Sequence, residues 1–471
     1  MRFPRSNGIQ LHPTSLPGPN GIGEIGPEAI RFADWLANAG QKIWQVLPLG
    51  PTGYGDSPYQ CFSAFGGNPL LLSLDRLVDR EYLTAKDLMG RQRFSLERVD
   101  YGAVIEWKFP ILAKAAKVFF RRASERDEFD RYCARNAHWL DAFATFMAGK
   151  QRDFGEDVHR YWQFEFDRQW SALREYCRHL GIRVMGDLPI YVAGDSSDVA
   201  SHPDLFRTDV IAGVPPDYFS ATGQLWGNPI YRWDKLKETG YEWWIDRFRN
   251  VLAQVDMLRL DHFRGFEAYW EVPAGARTAV NGRWVKGPGA DLFQAVEARL
   301  GKLPIVAENL GVITHEVESI RREFGYPGMS VLQFAFGNDP QGPSFRPHNY
   351  PHELVAYTGT HDNDTTLGWW NSEAGADSTR SAADIAAERD FARRYLRTDG
   401  LEMNWVFIQT LMASVADTVL VPMQDVLGLG SEARMNRPGE PDGNWQWRML
   451  PGSLRAEDAA RLRGLAEMYD R

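Results

Sequence analysis

The chain has 471 residues, 44% hydrophobic and 24% charged, an ordinary globular composition with ample length for a large core. Its net charge is −9, from 53 basic and 62 acidic residues, and no basic run stands out, so neither nucleic acid nor an anionic membrane is an expected partner. No apolar run approaches the ~18 residues of a membrane span. The start, MRFPRSNGIQLHPTSLPGPNG, lacks the apolar core of a leader. Cys61, Cys133 and Cys177 lie far apart and form no metal-like or redox pair, so the expected location is the cytoplasm.

Along the chain, short apolar runs ending in polar residues recur: KIWQVLPLG (42–50), IRVMGDLPIY (182–191), DMLRLDHF (256–263), LPIVAENLG (303–311), MSVLQFAF (329–336), HELVAYTGTHD (352–362) and DTVLVPMQDVLG (417–428). Near-continuous apolar runs fit parallel strands covered on both faces. Helix-forming segments lie between many of them, such as GPEAIRFADWLANAG (26–40) and GADLFQAVEARLG (289–301). That alternation predicts an α/β parallel sheet. Seven strands plus a weaker one at DVIAGVPPD (209–217) approach the eight of a (β/α)8 TIM barrel, with DMLRLDHF fourth. An open doubly wound sheet is the alternative, but neither G-x-G-x-x-G nor G-x-x-x-x-G-K-[ST] appears. The expectation is one catalytic barrel domain over 1–471 with long rim loops.

Two segments interrupt the alternation. Residues 85–180 read as mostly helical, with Phe129, Tyr132, Cys133, Leu140 and Phe143, and then Val158, Tyr161, Trp162, Phe166, Trp170, Leu173 and Cys177, at helical spacing. These stripes read as a helix–helix core in an insertion, with Pro110 expected to start or kink a helix. The loop GVPPDYFSATGQLWGNPIYRW (213–233) carries paired prolines and aromatics beside amides. With 17 Trp, 17 Tyr and 26 Phe in all, the chain is rich in flat rings, which serve cores and also stack on sugar rings.

Asp261, Glu308 and Asp362 end three of the predicted strands, where a barrel places its active site. Glycosidic bond cleavage needs two carboxyl groups, one to protonate the leaving oxygen and one to meet the charge at the anomeric carbon. A single strand-end acid can instead cap a helix, and Asp425 is read so. Arg259, two residues before Asp261, shares its sheet face and keeps it ionised. His262 and His361 each adjoin one of these acids and can donate to sugar hydroxyls. No H-E-x-x-H or calcium-type spacing supports a metal, and no cofactor is implied.

The stretches LHPTSLPGPNGIGEIG, WQVLPLGPTGYGDSPYQCFSAFGGNP, GDLPIYVAGDSSDV, GVPPDYFSATGQLWGNPIY, LRLDHFRGF, VAENLG, YTGTHDNDTTLGWW and VPMQDVLGLGSEARMNRPG together resemble the amylomaltases, the 4-alpha-glucanotransferases of glycoside hydrolase family 77. Between 85 and 180 only the helical character matches. Cys61 stands where serine is expected and Asn309 where aspartate is common. The resemblance implies the barrel, α-1,4-glucan substrates and no cofactor. It also implies Asp261 as nucleophile, Glu308 as general acid/base, Asp362 as transition-state stabiliser and Arg259 as the residue positioning the nucleophile. Tyr59, Asp217, Trp226, His361 and Asn436 match sugar contacts, and Asp187 matches the first conserved region of the wider superfamily; Asp187 and His262 are also expected to bind substrate. Tyr218 and Phe219 match acceptor-side aromatics, and Tyr54 and Gln224 are weaker matches.

A retaining double displacement follows as the expected mechanism, with glucan transfer to the 4-hydroxyl of an acceptor. Glu308 should then titrate high, next to the like charges of Asp261 and Asp362. An α-amylase-type hydrolase shares the same intermediate and is the nearer alternative. A noncatalytic glucan-binding barrel is the more distant one.

Overall fold

A computed structural model describes residues 3–122, 125–216, 220–374 and 381–471. Its strands are β1 (Ser6–Gln10), β2 (Ile43–Gln45), β3 (Arg183–Leu188), β4 (Phe206–Val214), β5 (Gln224–Tyr231), β6 (Met257–Leu260), β7 (Ala268–Pro273), β8 (Arg283–Lys286), β9 (Ile305–Ala307), β10 (Gly328–Val331), β11 (Leu354–Tyr357) and β12 (Thr418–Pro422). Eight pair in parallel, in the order β10-β11-β12-β1-β2-β3-β6-β9. The two ends of that sheet meet: Ala307 N donates to Pro327 O at 2.8 Å, and Met329 N donates to Asn309 Oδ1 at 2.8 Å. Helices flank the sheet, among them Pro27–Asn38, Glu242–Gln254, Ala290–Leu300, His315–Phe324 and Met403–Ala413. The fold is the (β/α)8 barrel.

Period two decides what each strand does. One set of alternating residues fills the barrel: Ile43, Met185, Met257, Val306, Met329, Val331, Val355, Tyr357 and Leu420, closed below by Phe3. The other set, including Ile9, Trp44, Val184, Leu258, Ile305, Ala356 and Val419, packs under the helices. Burial on both faces explains the near-continuous apolar runs. Following the inward set toward the strand C-termini, Met185 gives way to Asp187, Met257 to Arg259 and Asp261, and Val306 to Glu308. The polar rim is thus the same column of positions two residues further on.

Two strand assignments change. DVIAGVPPD contributes β4, which belongs to a separate antiparallel sheet of order β5-β4-β7-β8, not to the barrel. Its Thr208 and Asp209 are exposed, unlike any residue of a two-sided barrel strand. The missing barrel strand is β1, SNGIQ, every residue of which is buried. With one aliphatic residue in five it offers no apolar run, and its polar groups lie inside the protein. The two errors offset each other, so β6 is the fourth barrel strand in chain order.

The helical segment lies between β2 and β3. Its α-helices are Tyr101–Phe120, Arg126–Lys150 and Glu156–His179; residues 89–100 are not helical, so the helical part starts later than expected. Pro110 neither starts nor ends a helix but lies within the first one. Glu156–His179 docks on the barrel through paired contacts. Gln163 accepts from Gly67 N at 2.6 Å and donates to Gly67 O at 2.8 Å, and Trp170 Nε1 donates to Gln254 O at 2.8 Å.

Candidate active site

The rim gathers the predicted residues by strand geometry. Arg259 is buried at the end of β6, and its Nη1 lies 2.7 and 3.0 Å from the two Asp187 oxygens and 2.9 Å from Asp261 Oδ1. Asp187, at the end of β3, also accepts from the Tyr59 hydroxyl at 2.9 Å. Burial pushes Asp187 above the usual carboxylate range; the Arg259 guanidinium opposes this and the Asp261 charge adds to it. Asp261 is the open member of the group, its side chain 25% exposed against 4% for Arg259.

Glu308 follows β9, beside this cluster. Glu308 N donates to Leu260 O and Phe263 N to Glu308 O, both at 3.0 Å, fixing its backbone against the β6 end. Its Oε2 accepts from His262 N at 2.8 Å and its Oε1 from Leu310 N at 2.7 Å. His262 adopts φ +47°, a left-handed backbone that only a few non-glycine residues show, and from it presents that N–H. The Glu308 carboxyl is pushed up to about 7. Burial is the leading cause, Arg259 opposes it, and Asp261 raises it further. Desolvation, rather than the like charges anticipated, therefore leads.

Asp362 follows β11, with its side chain 44% exposed. Asn436 Nδ2 donates to its Oδ1 at 2.6 Å, and His361 Nε2 lies 3.4 Å from its Oδ2. Arg434 holds both segments, donating to the carbonyls of Asp362 and Asn436 at 2.7 Å each. The His361 ring stacks on Tyr59 with centroids 5.2 Å apart, joining this group to Asp187. On the other side, Trp226 meets the His262 ring edge to face at 4.7 Å, and its Nε1 donates to Gln224 Oε1 at 3.1 Å. Every predicted site residue that is described, apart from the exposed Tyr54, thus falls into one contact network. Asp217, Tyr218 and Phe219 lie outside the described residues.

Asp425 does not cap the helix that follows it. It is buried and accepts from Thr358 Oγ1 and from Thr366 N and Oγ1, tying the β11 rim to the helix Thr366–Asn371. Sequence reasoning missed Arg434 and Gln10, whose Nε2 lies 3.5 Å from His361 Nδ1. The first stood in a quoted motif without a role. The second lies in the strand that carried no apolar signal. Among the described residues, no group of three or more His, Cys, Asp or Glu is placed to hold a metal, and no helix is long and apolar enough to cross a membrane.

A family model described as 4-alpha-glucanotransferase matches residues 11–158 and 154–453. The chain belongs to glycoside hydrolase family 77. It is 48% identical to the 4-alpha-glucanotransferase of Thermus thermophilus, with 100% of both chains covered, and 45% identical to that of Synechocystis, covering 99% of this chain and 98% of the other. Among solved structures it resembles the amylomaltase from Streptococcus agalactiae in complex with acarbose, with a TM-score of 0.92, 36% identity and 99% of each chain covered. The family is one of transferases, and the α-amylase alternative loses its support.

Proposed function

We propose that the protein transfers segments of α-1,4-glucan by retaining double displacement within a single barrel domain. Asp261 attacks the anomeric carbon while Glu308 protonates the departing glycosidic oxygen, releasing a shortened glucan. Glu308, now a carboxylate, takes the proton from the 4-hydroxyl of an acceptor glucan or glucose, whose oxygen displaces Asp261 and restores the α-1,4 linkage. The observation that carries this reading is the unequal treatment of two neighbouring acids. Asp261 is ion-paired to Arg259 and partly exposed, which suits a nucleophile. Glu308 is buried and titrates near 7, which suits a group that must both give and take a proton.

Asp362, fixed by Asn436 and beside His361, is positioned to receive sugar hydroxyls, with Tyr59 and Asp187 behind it and Trp226, His262 and Gln224 on the opposite flank. Asp217, Tyr218 and Phe219 are assigned to substrate on the family resemblance. The substrates are maltooligosaccharides and dextrins derived from glycogen or starch. A cytoplasmic location accords with the absence of a membrane-spanning helix among the described residues and with three free cysteines.

Incubation with maltotriose tests the reading. Transfer yields glucose plus longer oligomers at constant reducing ends, whereas a net gain of reducing ends would show hydrolysis. Asp261→Asn should retain the fold by circular dichroism and lose turnover by several orders of magnitude; substantial residual activity would remove Asp261 from the nucleophile role.

A further inference from the structure

Gln10 is the last residue of β1, facing the barrel interior opposite Gln45, and is 5% exposed. Its Nε2 lies 3.5 Å from His361 Nδ1. The other ring nitrogen, Nε2, lies 3.4 Å from the Asp362 carboxylate. Stacking on Tyr59 and a tilted contact with Trp445 at 5.9 Å hold the ring plane. Burial lowers the His361 titration below the usual histidine range and Arg259 adds to this; Asp362 and Asp261 oppose it. That direction favours the neutral ring, with one proton for two nitrogens.

With the Gln10 amide nitrogen facing the ring, as it does here, the nitrogen opposite it is the lone-pair nitrogen, because an amide N–H only donates. The reverse tautomer would set N–H against N–H on one side of the ring and lone pair against carboxylate on the other. We propose that Gln10 is a positioning residue of the transfer reaction: by donating to Nδ1 it holds His361 as the Nε2–H tautomer, a fixed donor beside Asp362. Asp362 supplies acceptors and His361 a donor, so the pair meets a sugar hydroxyl in both of its hydrogen-bonding capacities. When sugar engages the Asp362 oxygens, Gln10 is the neighbour that still fixes the tautomer. The catalytic consequence rests on the role given to Asp362 and His361 above; the tautomer itself does not.

The test is 15N NMR of the protein labelled at histidine, with the His361 signals assigned by loss in His361→Asn, together with kinetics on maltotriose. Wild type should show the Nε2–H pattern alone. Gln10→Met, similar in shape but without a donor, should give a mixture of tautomers and a kcat two- to tenfold lower, the scale of one neutral hydrogen bond, with the fold retained by circular dichroism. A wild-type Nδ1–H pattern would overturn the proposal, as would a Gln10→Met protein with the wild-type spectrum. A changed tautomer with unchanged kcat would overturn the positioning role and leave Gln10 only a structural partner of His361.

Discussion

At the residue scale, burial sets the chemistry of the acids more than their mutual repulsion does. Glu308 titrates at about 7 in the folded protein against 4.5 for the ordinary group. The first displacement needs its proton, so kcat/KM should fall as pH rises through about 7, far above the limb near 4.5 that an unburied glutamate would give. A pH–rate profile on maltotriose checks this, and an alkaline limb near 4.5 would exclude Glu308 as the acid. The same shift bears on stability. A folded-state value above the unfolded one favours folding fully below about 4.5, and that contribution is lost as pH rises through about 7. Tyr59 offers a second test, because its hydroxyl bonds Asp187 while its ring stacks on His361. Tyr59→Phe keeps the ring and removes one hydrogen bond to a charged group. It should therefore lower kcat/KM about ten- to a hundredfold, and a loss under threefold would deny that bond a part in catalysis. The carboxylates, Arg259 and the histidines were legible in sequence because charge at the end of an apolar strand is anomalous. Gln10 was not, because a neutral amide in a polar stretch resembles any surface loop.

At the element scale, what escaped the sequence is β1. Its five residues are held by pairing on both sides, with Ser6 opposite Thr418 on β12 and Gly8 opposite Ile43 on β2. Such a strand is specified by what surrounds it, and partners some 35 and 410 residues away leave no local periodicity to read. Its one strict local requirement is Gly8. A Cβ there would fall 2.3 Å from Ile43 O and 2.6 Å from Ile43 Cβ, so β1 and β2 approach only because the side chain is absent. Gly8→Ala should force the strands apart and cost about 1–3 kcal/mol, the range for overpacked interiors. Because Gln10 lies two residues on, activity should fall in the folded fraction too. Urea unfolding with activity assays measures both, and an unchanged midpoint would show that the strand shifts without strain. The opposite error, β4, arises from the same limit. VIAGV has strand chemistry, and chemistry alone does not choose between the barrel and the antiparallel sheet beside it.

At the scale of the whole molecule, the helical segment between β2 and β3 bears on stability more directly than on the site. Helix Glu156–His179 turns Tyr161, Trp162, Phe166, Trp170, Leu173 and Cys177 inward, the stripe legible from 3.6-residue spacing. The sequence showed that this face is buried, but not against what. The structure supplies the partner. Gln163 pairs with both backbone groups of Gly67, Gln169 accepts from Ser73 N at 2.8 Å, and Trp170 reaches Gln254. Gly67 and Ser73 belong to the chain that follows β2, close to Tyr59, so losing the helix would leave buried backbone groups of that segment unpaired, at about 1–3 kcal/mol each. The helices and the barrel should therefore unfold together. Cys177 is fully buried on the inward face of this helix and reports its release. In a Cys61→Ser, Cys133→Ala background, thiol labelling of Cys177 and loss of activity should share one urea midpoint. Labelling at clearly lower urea, with activity intact, would show that the helical segment opens on its own and that the single-domain reading fails.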